Sequence, residues 1–291
     1  VLRLAQDHYR VIDGADAGHR DLTWVRRMAQ DRGANVKVTD TTTQYGGLGV
    51  WGPNARATIQ KIADDPAAWS PENFPFAAIR ELKIAGVPVL AFRISYVGEQ
   101  GWELHFKYDD GLALWDALYA AGVTPVGVET YANSRRMEKS LRLQNADLLT
   151  EYNLFECDLA RPKVKAADFH GKAAHLQFRE RAQQPAMLCT LVMTNNIDRH
   201  GVARYPVGSC PVMDPATGAT LVDALGRRSY TTSIAYGPTL GKNIALAYLP
   251  QAWCEVGREL QIQYFADVYP VRVEAVGYRP LYDPENVKPR S

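Results

Sequence analysis

The chain carries almost no excess charge: 33 Lys and Arg stand against 32 Asp and Glu, a formal net charge of +1. A polypeptide so balanced has no general pull toward nucleic acid or a membrane surface, so recognition has to come from particular pockets. Cysteine is scarce. Cys157, Cys189, Cys210 and Cys254 are the four in 291 residues, with no Cys-x-x-Cys and no Cys/His ligand spacing. No structural zinc or other metal site is expected, and unpaired thiols fit a reducing compartment. The expected location is the cytoplasm, or the mitochondrial matrix in a eukaryote. No apolar run approaches the ~20 residues that span a bilayer, and no signal-peptide pattern opens the chain. Motifs of the type Gly-x-x-x-x-Gly-Lys, Gly-x-Gly-x-x-Gly and Gly-x-Ser-x-Gly are also missing, which leaves nucleotide-binding and serine-hydrolase readings without support. Gly46-Gly47-Leu48-Gly49 is too short for a phosphate loop. The six histidines show no ligand spacing. Only His105, which follows Glu103 on one strand face, draws notice, and a surface histidine is its plainer reading.

With hydrophobic residues at 46% and charged residues at 22%, the composition is that of an ordinary globular protein large enough for two domains. Leu22, Val25, Met28 and Ala29 predict a helix over 19–32, stopped by Gly33. Further helices are predicted over 55–62, 111–121 and 131–143. Strands are expected at Val1–Leu4, Tyr9–Ile12, Val36–Asp40, Tyr45–Val50 and Ala78–Ile84. After Arg181-Ala182-Gln183-Gln184-Pro185, short strands alternate with Pro- and Gly-marked turns, the pattern of a small β-barrel or jelly roll. The fold class is α+β. A first domain is expected over 1–182, with 45–125 as an inner α+β subdomain, and a barrel domain over 187–291. Val1 opens in a strand without a start Met, so the chain is expected to be the C-terminal part of a longer polypeptide.

Residues 93–107 are the most informative stretch. Ile94, Tyr96 and Val97 suit one strand, Trp102, Leu104 and Phe106 a second, and Gly98 to Gly101 form a glycine-bounded turn. If Val97 and Trp102 close the loop, Tyr96 lies directly across from Glu103, with Cβ atoms about 5 Å apart. An aromatic ring beside a carboxylate suits a flat heterocycle with adjacent N–H donors, because a carboxylate accepts two parallel hydrogen bonds.

Tyr96-Val97-Gly98-Glu99-Gln100-Gly101-Trp102-Glu103-Leu104 also resembles the pterin-gripping hairpin of the aminomethyltransferase (glycine-cleavage T-protein) family. It is most similar to the folate domains of dimethylglycine and sarcosine dehydrogenases and oxidases. Asn133-Ser134-Arg135-Arg136-Met137-Glu138 resembles the family's Ser-Leu-Arg-Leu-Glu motif. Asn145-Ala146-Asp147, Leu154-Phe155-Glu156, Lys165 and Asp168-Phe169-His170-Gly171-Lys172 resemble further elements, read as structural, with the lysines neutralising local acids. Thr232 to Tyr248 is similar to the family's barrel signature, and Pro280-Leu281-Tyr282-Asp283-Pro284 to its dimethylglycine oxidase ending. The resemblance implies paired ferredoxin-like α+β folate-binding domains followed by a C-terminal barrel. It implies tetrahydrofolate binding by Tyr96, Glu103 and Arg136, the arginine holding the glutamyl carboxylate of folate or bracing the site; FAD enters only if an upstream domain or partner chain supplies it.

Three departures qualify the likeness. The family's catalytic aspartate falls ahead of Val1, so the catalytic residue is unknown and the chain alone is expected to be a poor catalyst. Asp13-Gly14-Ala15 replaces Asn-Ala-Gly, and Gln144 stands at an aromatic position. The function implied is tetrahydrofolate-dependent aminomethyl transfer from a methylated-glycine-derived iminium, giving 5,10-methylenetetrahydrofolate within a larger dimethylglycine- or sarcosine-oxidising enzyme. The alternatives are an O- or S-demethylase of the same fold and a non-enzymatic folate-binding paralogue. The partners implied are a small methylated donor, folate and a flavin domain or partner chain, with neither nucleic acid nor membrane.

Overall fold

The computed structural model describes residues 1–14 and 16–291; Ala15, in the Asp13-Gly14-Ala15 segment, lies outside the described residues. The chain divides into two compact units. The first comprises Val1–Ser95, Glu99–Pro125 and Lys288–Ser291, and the second Tyr96–Gly98 with Val126–Val287.

In the first unit, β1 (Leu2–Arg3) and β2 (Tyr9–Arg10) form a short antiparallel ribbon ahead of α1 (Gly18–Asp31). A four-stranded antiparallel sheet follows, in the order β3-β6-β5-β4: β3 Tyr45–Trp51, β4 Ile79–Ile84, β5 Val87–Phe92 and β6 Gly101–Lys107. Burial alternates along β6, with Trp102, Leu104 and Phe106 inward and Glu103 and His105 on the other face, as period-2 side chains require. The inward face packs on Ala55 and Ile59 of α2 (Ala55–Ile62) and on Leu114 and Leu118 of α3 (Gly111–Ala120). Trp69 meets Trp102 edge to face at 5.2 Å. The strand expected at Val36–Asp40 is absent. Val36 is exposed and the segment has no partner strand, and two alternating valines do not make a strand without a ladder to join.

The second unit begins with a π-helical turn, Thr130–Arg135, that runs into a single α-turn, α4 (Arg136–Glu138). The continuous helix expected over 131–143 stops there. Arg136, Glu138, Lys139 and Arg142 are all buried, and a regular helix at 100° per residue would turn at least one of them to solvent. Ser140, at φ 56°, turns the chain instead. After α5 (Lys172–Arg179), a six-stranded antiparallel sheet runs in the order β8-β11-β12-β7-β10-β9. Its strands are β7 Ala186–Met193, β8 Val212–Met213, β9 Thr231–Gly237, β10 Lys242–Pro250, β11 Glu259–Tyr264 and β12 Asp267–Val276. Register shifts at Leu246/Ala247 and Val273/Ala275 add the local twist by which bulges bend a sheet. The sheet curls over a core of Leu191, Val212, Ala247, Ile262 and Val273. Short strands alternating with turns after Pro185 are present, as the sequence pattern predicts.

Leu104→Ala removes a fully buried side chain and should destabilise the first unit by about 2–5 kcal/mol, lowering the urea midpoint at unchanged slope. An unmoved midpoint would show that this face of β6 is not core.

Candidate functional site

The expected hairpin is not formed in the register read from the sequence. β6 pairs with β5 through Leu90↔His105, Ala91↔Leu104 and Phe92↔Glu103, and with β3 through Gly49↔Glu103 and Gly47↔His105. Phe92, not Tyr96, is therefore the cross-strand partner of Glu103, and residues 93–100 form a loop. The turn-closing logic failed because the strand already starts at Val87. Its backbone pairing continues through Arg93, which exchanges bonds with Ala77 and Ala78, and breaks where Ile94 N turns back to Phe92 O, while the Arg93 side chain bonds the Phe74, Arg290 and Ser291 carbonyls. Glu103 is half-buried on the polar sheet face, its carboxylate 3.6 Å from His105 Nε2. His105 itself is not a surface residue, for its side chain is only 12% exposed.

In the second unit, Arg136 is 0% exposed, and each of its five N–H groups has an acceptor. Nε donates to Ala132 O (2.6 Å), Nη1 to Leu141 O (3.0 Å) and Asp147 Oδ2 (2.5 Å), and Nη2 to Ser233 Oγ (2.6 Å) and Asn133 Oδ1 (3.4 Å). Asp147, equally buried, also accepts from Leu143 N, Ser233 Oγ and Thr232 Oγ1. A buried ion pair is tolerated only when its remaining lone pairs and protons are met in this way. Glu138 accepts from Arg135 Nη1 (2.6 Å), Thr239 N (2.7 Å) and Leu240 N (3.0 Å), which fixes the Gly237–Gly241 turn. Lys139 Nζ donates to Asp283 O at 2.6 Å and lies 3.2 Å from Asp283 Oδ2. The motifs around Arg136, Asp147, Ser233 and Asp283 thus meet in one polar core, although they are up to about 150 residues apart.

Tyr96 donates its hydroxyl to Arg142 O at 3.0 Å and packs its ring 5.4 Å from Tyr131. Burial pushes its phenol up to about 12. Gly98, at φ 77°, is required twice over, since a Cβ there would fall 2.3 Å from Lys139 Cγ. A cleft of about 460 Å³ is lined by Glu129, Asn133, Leu143, Tyr205, Ser233 and Tyr236 among others, so two partners of Arg136 reach its wall.

The three predicted binding residues therefore fare differently. Glu103 is presented on an open sheet face. Tyr96 belongs to the other unit and has its hydroxyl engaged. Arg136 is enclosed, which favours the bracing role over direct contact with a carboxylate. Asp147 and Glu156 are structural, as read, each tied to a buried or half-buried arginine. Lys172 caps the carbonyls of Ala166 and Ala167 rather than neutralising an acid. Sequence reading missed Thr232 and Ser233 as partners of Asp147; adjacent hydroxyls inside a strand were the available signal. Among the described residues no group of His, Cys, Asp or Glu is arranged to hold a metal, and no helix is long and apolar enough to cross a membrane.

The fold is that of an aminomethyltransferase. The crystal structure of glycine cleavage system aminomethyltransferase T from Bartonella henselae superposes with a TM-score of 0.72 over 93% of this chain and 68% of that one. At 19% identity the likeness is one of fold. Residues 1–165 match the GCVT N-terminal domain, and residues 206–283 match the glycine cleavage T-protein C-terminal barrel domain. The chain belongs to the glycine cleavage T-protein family. Human mitochondrial dimethylglycine dehydrogenase is 31% identical over 90% of this chain, and an aminomethyltransferase of Symbiobacterium thermophilum 28% identical over 90%. The chain spans 29% of the human protein and 67% of the bacterial one.

Asp147→Ala leaves the Arg136 guanidinium buried and unpaired and should cost about 3–5 kcal/mol in denaturant unfolding, with Asp147→Asn costing less. Equal stability of all three proteins would refute the network. For Tyr96, the folded phenol pKa lies above its ordinary value of 10.0, so its contribution is complete below about pH 10 and is lost as pH rises toward 12. Tyr96→Phe should accordingly lose less stability than wild type between about pH 9 and about pH 11.5; parallel losses would show that Tyr96 does not titrate late.

Proposed function

We propose that the protein is a tetrahydrofolate-dependent one-carbon transferase acting within a larger dimethylglycine- or sarcosine-oxidising enzyme. The observation that carries this reading is Glu103: a half-buried carboxylate on the outer face of β6, beside Gly49 and Phe92, in a segment that resembles the family's folate motif. Such a group accepts the paired N–H donors of a pterin edge. The 31% identity with human dimethylglycine dehydrogenase over 90% of the chain supports a methylated glycine as the donor. Bound folate would accept the one-carbon unit of the donor's iminium at N5 and N10, with Glu103 holding its pterin edge and the glycine nitrogen departing protonated. The protein's share of this chemistry is chiefly positioning.

In the second unit, Arg136 has a bracing role, and Tyr96 packs on Tyr131 with its hydroxyl on Arg142 O. Residues 1–182, with 45–125 as an inner subdomain, serve folate binding, and 187–291 form the barrel. FAD, which would make the iminium, belongs to another domain or a partner chain. The mammalian relatives are mitochondrial by their names, and a mitochondrial location, in the matrix, is part of the same proposal.

Titrating tetrahydrofolate against wild type and Glu103→Ala tests the reading. The variant should lose about 2–4 kcal/mol of binding, because pterin donors are left unpaired, and should form methylenetetrahydrofolate from formaldehyde correspondingly slowly. Equal affinities would remove the central claim.

A further inference from the structure

Glu103 is not alone on its sheet face. On β6 it stands between Gly101 and His105, and the β3 residues opposite these three are Trp51, Gly49 and Gly47. β3 therefore offers one indole and two bare positions. The indole does not stay over its own residue. A Cβ placed on Gly49 would fall 1.9 and 2.0 Å from Cζ3 and Cη2 of Trp51, and one placed on Gly101 would fall 2.6 Å from its Cδ1. The ring thus lies across the backbone from Gly101 to Gly49, with its six-membered part where a residue-49 side chain would stand. That is the space beside Glu103, because directly opposed residues hold their Cβ atoms about 5 Å apart. The indole N–H donates to Ile94 O at 2.8 Å, which fixes the ring, and Trp51 remains half-exposed.

His105 lies on the far side of Glu103 from this ring. It is opposite Gly47 on one flank and Leu90 on the other. Its Nε2 is buried, finds no hydrogen-bond partner among the described residues, and lies 3.6 Å from Glu103 Oε2. A small side-chain rotation closes that gap to a hydrogen bond. A carboxylate that must accept two parallel bonds from a ligand gains from a neighbour that holds it in one orientation.

We propose that Trp51 is the aromatic surface on which the pterin ring stacks while Glu103 accepts its N–H edge, and that His105 is a positioning residue for that carboxylate. This rests on the folate reading of Glu103. It moves the aromatic partner from Tyr96 to a residue of β3, and it explains why β3 carries glycine at 47 and 49, where side chains would cover the platform.

The test measures binding of tetrahydrofolate and of 6-methyltetrahydropterin, which lacks the benzoyl-glutamate tail, to the intact protein. Trp51→Leu and His105→Leu should each weaken both ligands about tenfold, the scale of one lost stacking or hydrogen-bond contact. His105→Gln, whose amide N–H takes the place of Nε2–H, should recover to within about threefold of wild type, a rescue that mere space-filling would not give. Trp51→Phe keeps a ring, so it should bind within about threefold yet lose most of the tryptophan-fluorescence quenching caused by tetrahydrofolate. That readout stands even if Trp51→Leu does not fold. Wild-type affinity in Trp51→Leu and His105→Leu alongside weak binding by Glu103→Gln would overturn this inference and leave the folate reading intact. So would undiminished quenching in Trp51→Phe, or a His105→Gln variant as weak as His105→Leu. Wild-type affinity in Glu103→Gln would overturn both.

Discussion

A guanidinium removed from water has to find an acceptor for every N–H, and the second unit is arranged around meeting that demand at Arg136. Four of its acceptors come from one stretch of chain, Ala132, Asn133, Leu141 and Asp147, and the fifth is Ser233 of β9. The π-turn before it and the abrupt chain reversal at Ser140 follow from the same demand, since a straight helix would carry the Leu141 carbonyl away. Asp147 is then oriented by its own donors, the hydroxyls of Thr232 and Ser233. Tyr248 of β10 bonds the Asp147 carbonyl at 2.8 Å and stacks on Tyr152. The charged segment and the curled sheet are therefore one polar-cored body, and the loss of any partner leaves a charge stranded in a low-dielectric interior.

The adjacent charges obey the same rule with different partners. Glu138 holds the Gly237–Gly241 turn through two backbone N–H groups, and Lys139 holds Asp283. Gly98 is dictated by Lys139 as much as by its own positive φ. Motifs that a linear reading treats as separate signatures are parts of one hydrogen-bonded arrangement, which is the physical reason they occur together in a single chain.

The first unit solves the opposite problem. Its sheet buries one face under two helices, with Trp69, Phe74 and Trp102 as the bulk of the core, and leaves Glu103 and His105 on the other face among Trp51, Leu90 and Phe92. Glycines at 47, 49 and 101 remove side chains from that face, so an indole can lie over the backbone and a carboxylate can stand clear. Family membership gives the class of chemistry, and the face carries Glu103, His105 and Trp51 side by side.

Periodicity in the sequence determined most of the secondary structure. Helix α2 is present over the residues expected, α1 and α3 within a residue of them, and the six C-terminal strands follow alternations and Pro/Gly turns that are local in origin. The choice of Glu103 and Arg136 as residues of interest was also legible, from the motifs around them. Tertiary structure alone decided the strand register, because β6 pairs where β3 and β5 offer it partners, and the chain turns out of the sheet after Arg93, where Ile94 N bonds Phe92 O. It decided that Val36–Asp40 is no strand, for want of a neighbouring ladder. It turned the 131–143 helix into a single turn, because burial of four charged side chains outweighed helix propensity. It also withdrew His105 from the surface and laid Trp51 over Gly49, since burial and cross-strand neighbours are properties of the assembled sheet and not of any one strand.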